Sequence, residues 1–317
     1  MKRLFLVDGT ALVFRSFHAF SGRAQLTSRG RNVGMVYGFL SSLLSILRRE
    51  KPDLLVLTFD TGAPTFRHKM FEPYKANRPP LDEDLAQQIP TLYEIIAAMN
   101  IPQIALDGWE ADDVVGTLAK RAETAGMEVF LVSGDKDFYQ LVTDKVKVYT
   151  LPRQSSDNPS IYDPDGIESK FGVRPEKVID VLGLMGDSSD NIPGIPKIGP
   201  KTAVNLVREY GGLEEVLSAA DRVKQKKLSE NLTEFADQAR LSYKLVTIDT
   251  DVPVDLDLDK LTFGPINNPA ARSLLTDLEF SRILDQLDKL EPENAQSMSP
   301  DKIKRNYHTV TDPEKLD

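Results

Sequence analysis

Three short, continuous apolar runs each close on aspartate: "RLFLVDG" at Asp8, "LLVLTFD" at Asp60, and "EVFLVSGDKD" at Asp135 and Asp137. Unbroken rather than alternating apolar runs of this length suit strands buried on both faces of a parallel sheet. Between them the spacing becomes helical, in "GMVYGFLSSLLSILRRE" over 34–50 and in "ADDVVGTLAKRAETAG" over 111–126, where Gly126 supplies the stop. Strand and helix in alternation predict a doubly wound α/β sheet, whose site lies outside the carboxyl ends of its strands. The four aspartates sit at those ends.

From about residue 173 the pattern changes to short helices: "RPEKVIDVLGLMG", "PKTAVNLVREYG" and "LEEVLSAA". Pro200 suits a first helical position and Gly211-Gly212 a helix end, so 174–220 is expected to form a compact helical module. A mixed segment over 221–290 holds "KQKK" and a helical run near 269–288. The polar stretch 291–306 has two prolines and no apolar period, as expected of a linker.

Composition narrows the chemistry. The 317 residues, 41% of them apolar, supply a sizeable core. There is no cysteine, which excludes disulfides, thiolate zinc sites and cysteine nucleophiles, and the three histidines (His18, His68, His308) are scattered. A metal bound here is expected to be held by oxygen. The net charge of −9 argues against indiscriminate coating of nucleic acid but leaves local patches open. The apolar run "LFLV" after the first residues is too short for a signal-peptide core or a membrane span, so a cytoplasmic protein that does not enter membranes is expected.

The acids at element ends are Asp8, Asp60, Glu110, Asp112, Asp113, Asp135, Asp137, Asp187 and Asp190. Taken singly, each has an ordinary alternative as a turn former or helix cap. Gathered in one crevice, each pair near 4 Å repels by about 4 kcal/mol at an effective dielectric of 20, so something positive must offset them. Hard oxygen donors without Cys or His select Mg²⁺ or Mn²⁺, and the number of carboxylates exceeds the needs of one ion. Two such ions together support in-line phosphodiester displacement without a histidine base.

Two stretches carry the opposite charge. "GDSSDNIPGIPKIGPKTA", 186–203, places Asp187 and Asp190 one helical turn apart and then joins two helices through a Gly-Ile-x-x-Ile-Gly hairpin. Gly194 and Gly199 permit close backbone approach to a phosphate, with Lys197 and Lys201 adding charge. "PTFRHKMFEPYKANRPP", 64–80, interleaves Arg67, His68, Lys69, Lys75 and Arg78 with Phe66, Phe71 and Tyr74, a composition suited to a single strand. If it becomes helical, Lys75 and Arg78 reach one scissile phosphate together.

The segments "FLVDGTALVFRSFHAF", "TFDTGAPTFRH", "YKANRPPLDEDL", "EADDVVGTLAKRA", "LVSGDKDFYQLV" and "LMGDSSDNIPGIPKIGPKTA", in this order, resemble the 5′ nuclease (flap endonuclease type) domain of bacterial DNA polymerase I. The resemblance runs from residue 1 to about 290. It implies a PIN-like α/β domain over 1–173 with a helical arch at about 64–95, and a helix-three-turn-helix (helix-hairpin-helix-like) DNA-binding region over 174–290. It places Asp8, Asp60, Glu110, Asp112 and Asp113 in a first metal site and Asp135, Asp137, Asp187 and Asp190 in a second, with Asp113 between the ions. Tyr74, Lys75 and Arg78 then match the arch motif as DNA contacts, Lys75 and Arg78 also acting on the phosphate, and the basic stretch adds Arg67 as an expected DNA contact. Gly194, Gly199 and Lys201 match the clamp, which in relatives can also hold K⁺, and Lys197 is expected to add charge beside them.

The activity implied is 5′-3′ exonuclease and flap endonuclease cleavage of DNA and primer RNA at flaps, nicks and primer junctions. A bacterial, nucleoid-associated protein is expected, and nothing in the sequence demands more than a monomer. "YHTVTDPEKLD", within 291–317, resembles the truncated start of a following domain, and a linked polymerase module is expected. Phe138-Tyr139 departs from the small aliphatic pair usual in relatives. Two rivals fit the acids alone or the clamp alone: a nuclease acting mainly on RNA, and a catalytically silent junction-binding module.

Overall fold

Strand β1 (Arg3–Asp8) runs through the middle of the sheet, with Phe5 and Val7 buried on one face and Leu4 and Leu6 on the other. Burial on both faces explains why the run is continuous, and each such side chain contributes roughly 1.5–3 kcal/mol. The computed structural model describes residues 1–20, 25–152, 157–254 and 261–290. The linker and following-domain expectation over 291–317 lies outside them.

The remaining strands are β2 (Leu54–Thr58), β3 (Gln103–Ile104), β4 (Glu128–Val132), β5 (Val146–Thr150) and β6 (Ser160–Tyr162), in the spatial order β3-β2-β1-β4-β5-β6. All pairings are parallel except that of β6 with β5. The three apolar runs are therefore the adjacent strands β2, β1 and β4. In register, Asp8 lies beside Thr58 and Val7 beside Val132, so Asp8, Asp60 and Asp135 leave the sheet at one edge.

Helices α1 (Gly9–Ala19), α2 (Gly34–Glu50), α3 (Phe66–Met70), α4 (Glu83–Ala98) and α5 (Ala111–Thr124) alternate with the strands. After α6 (Pro164–Phe171) come α7 (Val178–Met185), α8 (Pro200–Tyr210), α9 (Leu213–Ser218), α10 (Lys226–Glu234), α11 (Ala236–Val246), α12 (Pro269–Asp277) and α13 (Ser281–Asp288). One core joins Leu4, Leu6, Val129 and Leu131 to α5 and to the α7–α11 helices through Val181, Leu182 and Leu245. The other joins Phe5, Val7 and Leu57 to α2, α4, α12 and α13. Phe138 and Tyr139 are buried in the first core. Among the described residues no helix is long and apolar enough to cross a membrane.

Three expectations are corrected here. The run near 269–288 is two helices broken at Glu279, whose φ is +60°, and both pack with the α2/α4 layer. Their apolar faces, Leu275 and Phe280 among them, find that sheet face still open. The segment 64–80 is helical only over α3; residues 71–78 form turns, with Lys75 at φ +57°. Asp187 and Asp190 lie on a turn closed by an Asp187–Ile192 bridge, not on a helix.

Candidate functional site

The carboxyl edge of the sheet builds one side of a cleft of about 500 Å³. Asp8 ends β1 and caps α1: one carboxylate oxygen accepts the Ala11 N–H at 2.9 Å and the other the Ser133 hydroxyl at 3.2 Å. Asp60 accepts the Ala111 N–H at 2.8 Å, tying the end of β2 to the start of α5, where Asp112 sits in the first turn. Asp135 accepts the Asp137 N–H at 3.0 Å. Among the described residues, Asp8, Asp60, Asp112 and Asp135 have no ion-pair partner.

Electrostatics follow from this crowding. Burial, partly offset by the Ala11 N–H, pushes the Asp8 carboxyl up to about 7, with Asp60 and Asp135 adding repulsion. Burial and then the charges of Asp8, Asp135 and Asp60 hold Asp112 well above the usual carboxylate range. Asp137 is also pushed up to about 7, first by burial and then by Asp135, against the relief given by Lys136. Its buried Oδ1 has no hydrogen-bond partner, the Lys136 ammonium standing 3.6 Å away.

The opposite side of the cleft is neutralised. Lys136 pairs with Asp187, which holds that carboxyl below its ordinary range despite the cost of burial. Arg78 pairs with Asp190 at 2.6 Å, and Lys75 bridges Glu110 to Asp190, the latter at 3.7 Å. Burial opposes the Lys75 charge, but Glu110 and Asp190 outweigh it and raise its pKa, so it is a cation at neutral pH. The Tyr74 hydroxyl donates to Glu110 at 2.9 Å, and burial followed by the Glu110 charge raises its pKa. The 71–78 loop is laced to the 187–191 turn: the Lys75 N–H donates to Asp190 O at 2.9 Å and the Asn77 amide to Ser188 O at 2.8 Å. Among the described residues, no three acids converge on a common point as a metal would require; Lys75 stands between Glu110 and Asp190, and Lys136 between Asp137 and Asp187.

Two sequence expectations fail on burial. Arg67 is 2% exposed, and its guanidinium points inward to Asp113 (2.7 and 2.8 Å), Glu110 (3.1 Å) and the carbonyls of Leu245 and Thr247 (both 2.8 Å). It is no DNA contact. Asp113 is fully buried and also accepts the N–H groups of Glu110 at 3.1 Å and Asp249 at 2.9 Å. With Arg67 these occupy both oxygens, which removes Asp113 from the metal-facing acids.

The hairpin between α7 and α8 buries Ile192, Ile195 and Ile198 and exposes Lys197 and Lys201. Gly199 faces open space: a Cβ there meets nothing within 4 Å, and Pro200 opens α8. Gly194 differs from expectation. A Cβ there would lie 2.0 Å from Met185 O, so its close approach is to its own chain.

Cleft residues that the sequence analysis passed over are Arg15, Ser133 and Lys136. Arg15 lies four residues after Ala11 on the α1 face that lines the cleft, and Lys136 stands between two of the singled-out aspartates; both positions were available as signals. Ser133 carries no such mark, since its bonds to Asp8 and to the Asp135 N–H depend on strand adjacency.

Residues 3–172 match the family model described as 5′-3′ exonuclease, N-terminal resolvase-like domain, and residues 173–269 the one described as 5′-3′ exonuclease, C-terminal SAM fold. The chain is 41% identical to a DNA polymerase I of Bacillus subtilis over 98% of its length and 35% of that protein. It is 40% identical to the thermostable DNA polymerase I of Thermus filiformis over 94% of its length and again 35% of the relative, so it spans about a third of these curated relatives. Among solved structures it is similar to the T5 5′-exonuclease with bound zinc (TM-score 0.67, 23% identity, covering 91% of this chain and 97% of that one). It is also similar to the catalytic core of Rad2 in complex with DNA (TM-score 0.63, 17% identity, 92% of each chain).

Proposed function

Because this chain belongs to the 5′-3′ exonuclease family, we propose that it hydrolyses phosphodiesters at 5′ flaps, nicks and primer junctions of DNA, with Mg²⁺ or Mn²⁺ held by Asp8, Asp60, Glu110, Asp112, Asp135, Asp137, Asp187 and Asp190. The observation that carries the reading is the meeting of like charges at one sheet edge: buried carboxyls repel one another around a cleft that Arg78 and Lys136 also line, with Lys75 standing beside the cleft-lining Asp190. An all-oxygen donor set fits a hard divalent cation, and the buried Asp137 Oδ1, which accepts no hydrogen bond, fits the same chemistry. When bound, such ions supply Lewis acidity at phosphate and lower the pKa of water.

The chain's own residues do the rest. Lys75 is held protonated, so it serves as a cation and not as a base. Lys75 and Arg78 neutralise Glu110 and Asp190 here, and in the complex they transfer to phosphate oxygens, where their donors oppose the charge that develops during displacement. Tyr74 orients Glu110 from its buried side. The hairpin, with Gly199 open and Lys197 and Lys201 exposed, grips duplex backbone at a distance without reading sequence.

The test is cleavage of a 5′-labelled double-flap DNA with and without Mg²⁺, beside the matching RNA flap. Release near the junction that depends on the metal and favours DNA is the expected result. Binding without cleavage in Mg²⁺ or Mn²⁺ would leave a silent junction-binding module instead. Lys201→Ala is expected to weaken duplex binding about uniformly across sequences and to reduce the salt slope by about 1, measured by titration at several salt concentrations. An unchanged slope would remove the hairpin from the interface.

A further inference from the structure

We infer that Arg67 is a positioning residue: its guanidinium locks the α3 segment to the start of α5 and the end of α11, and thereby aims the Glu110 carboxylate into the cleft. The inference rests on the function proposed above. Arg67 is a cation in a basic, aromatic segment, yet it reaches neither solvent nor cleft: four of its five N–H donors hydrogen-bond protein acceptors, and Nη1 also stands 3.1 Å from Glu110 in an ion pair. Burial works against its charge, and the hydrogen bonds and charge of Asp113, followed by Glu110, outweigh that cost.

The division of labour on Glu110 is the useful part. Its Oε2 faces Arg67 Nη1 at 3.1 Å and the Tyr74 hydroxyl at 2.9 Å, while Oε1 is left to the ammonium of Lys75, which also stands 3.7 Å from the cleft-lining Asp190. One oxygen is thus anchored from behind and the other meets a cation. Asp113 completes the anchor: it binds Arg67 through both oxygens and receives the backbone N–H groups of Glu110 and Asp249, fixing the chain on either side. Partners that orient a metal-facing carboxylate typically change metal affinity or activity by about 10–100-fold when lost.

Arg67→Lys keeps the charge but lacks the planar fork, so it satisfies Asp113 or Glu110 and not both. The expected result is a folded protein whose Mg²⁺ half-saturation for flap cleavage rises by about 10-fold or more, with Mn²⁺ binding to the DNA-free protein, read by electron paramagnetic resonance, weakened in parallel. Flap affinity without divalent ions should stay within about twofold of wild type. A buried cation without its fork is a folding risk, so the paired variant Arg67→Met with Asp113→Leu is tested beside it. Removing both members avoids leaving an unpaired buried charge, at the cost of the acceptor for the Glu110 and Asp249 N–H groups, and the same metal defect is expected because Oε2 then keeps only Tyr74. If either folded variant shows wild-type Mn²⁺ binding and Mg²⁺ dependence, with only its thermal stability changed, Arg67 is a structural tie and the inference is wrong. That outcome differs from failure of the functional proposal, in which wild-type protein itself does not cleave in Mg²⁺ or Mn²⁺.

Discussion

Asp112→Asn is expected to lower flap cleavage by about 10³-fold at saturating Mg²⁺ while junction binding is kept or tightened. Asp112 opens α5 among Asp8, Asp60 and Asp135, and none of these four is ion-paired among the described residues. An amide still fits the space but loses the negative charge that a hard cation needs. Losing about 4 kcal/mol of charge stabilisation in the transition state corresponds to the stated factor. Two further readouts carry opposite signs and make the assignment specific. Removing one of several repelling charges lowers the barrier to an approaching phosphate, so binding does not fall. It also relieves the metal-free fold, whose melting temperature should rise by about 2–4 °C for each kcal/mol recovered. A variant that cleaves at the wild-type rate would exclude Asp112 from the site, and one that melts lower in the absence of metal would show that the crowding does not destabilise.

The second large effect separates two glycines that look equivalent in "GIPKIG". Gly194→Ala places a methyl 2.0 Å from Met185 O and 2.7 Å from Gly186 N, and both obstacles are backbone. Gly186 meets the same contact from the other side and sits at φ +67°. A side-chain rotation cannot relieve such a clash, so a loss of about 3 kcal/mol or more is expected in urea unfolding, at the upper end of overpacking costs. Gly199→Ala meets nothing within 4 Å and should leave stability within about 0.5 kcal/mol. If Gly199 is where a phosphate approaches backbone, the same variant weakens duplex binding. Equal stabilities for the two variants would refute the packing account of Gly194.

The strands that carry chemistry were readable because burial on both faces leaves an unmistakable run; β3 and β5 were not singled out. β3 has two residues, and β5 alternates Lys147 between buried valines. The same limit hid the place of α12 and α13. Their helical period is plain in the sequence, but which apolar surface receives Leu275 and Phe280 depends on the exposed face of the α2/α4 layer, a property of distant residues.

What the sequence determined by itself is the α/β alternation, the delivery of Asp8, Asp60 and Asp135 to the ends of buried strands, the oxygen-only donor chemistry, and the glycine-lysine hairpin before α8. These follow from local period, residue type and turn chemistry, which act over a few residues. Only the tertiary structure decided that β1 lies between β2 and β4, so that the three acids crowd together. It alone decided that Lys75 and Arg78 lean on Glu110 and Asp190, and that Arg67 and Asp113 satisfy each other out of reach of the cleft. A charged side chain carries the same letter whether it faces solvent, a ligand or a buried partner. Which of these it meets is set by the desolvation cost and by whichever opposite charge the fold brings within hydrogen-bonding distance, here 46 residues away along the chain for Arg67 and Asp113.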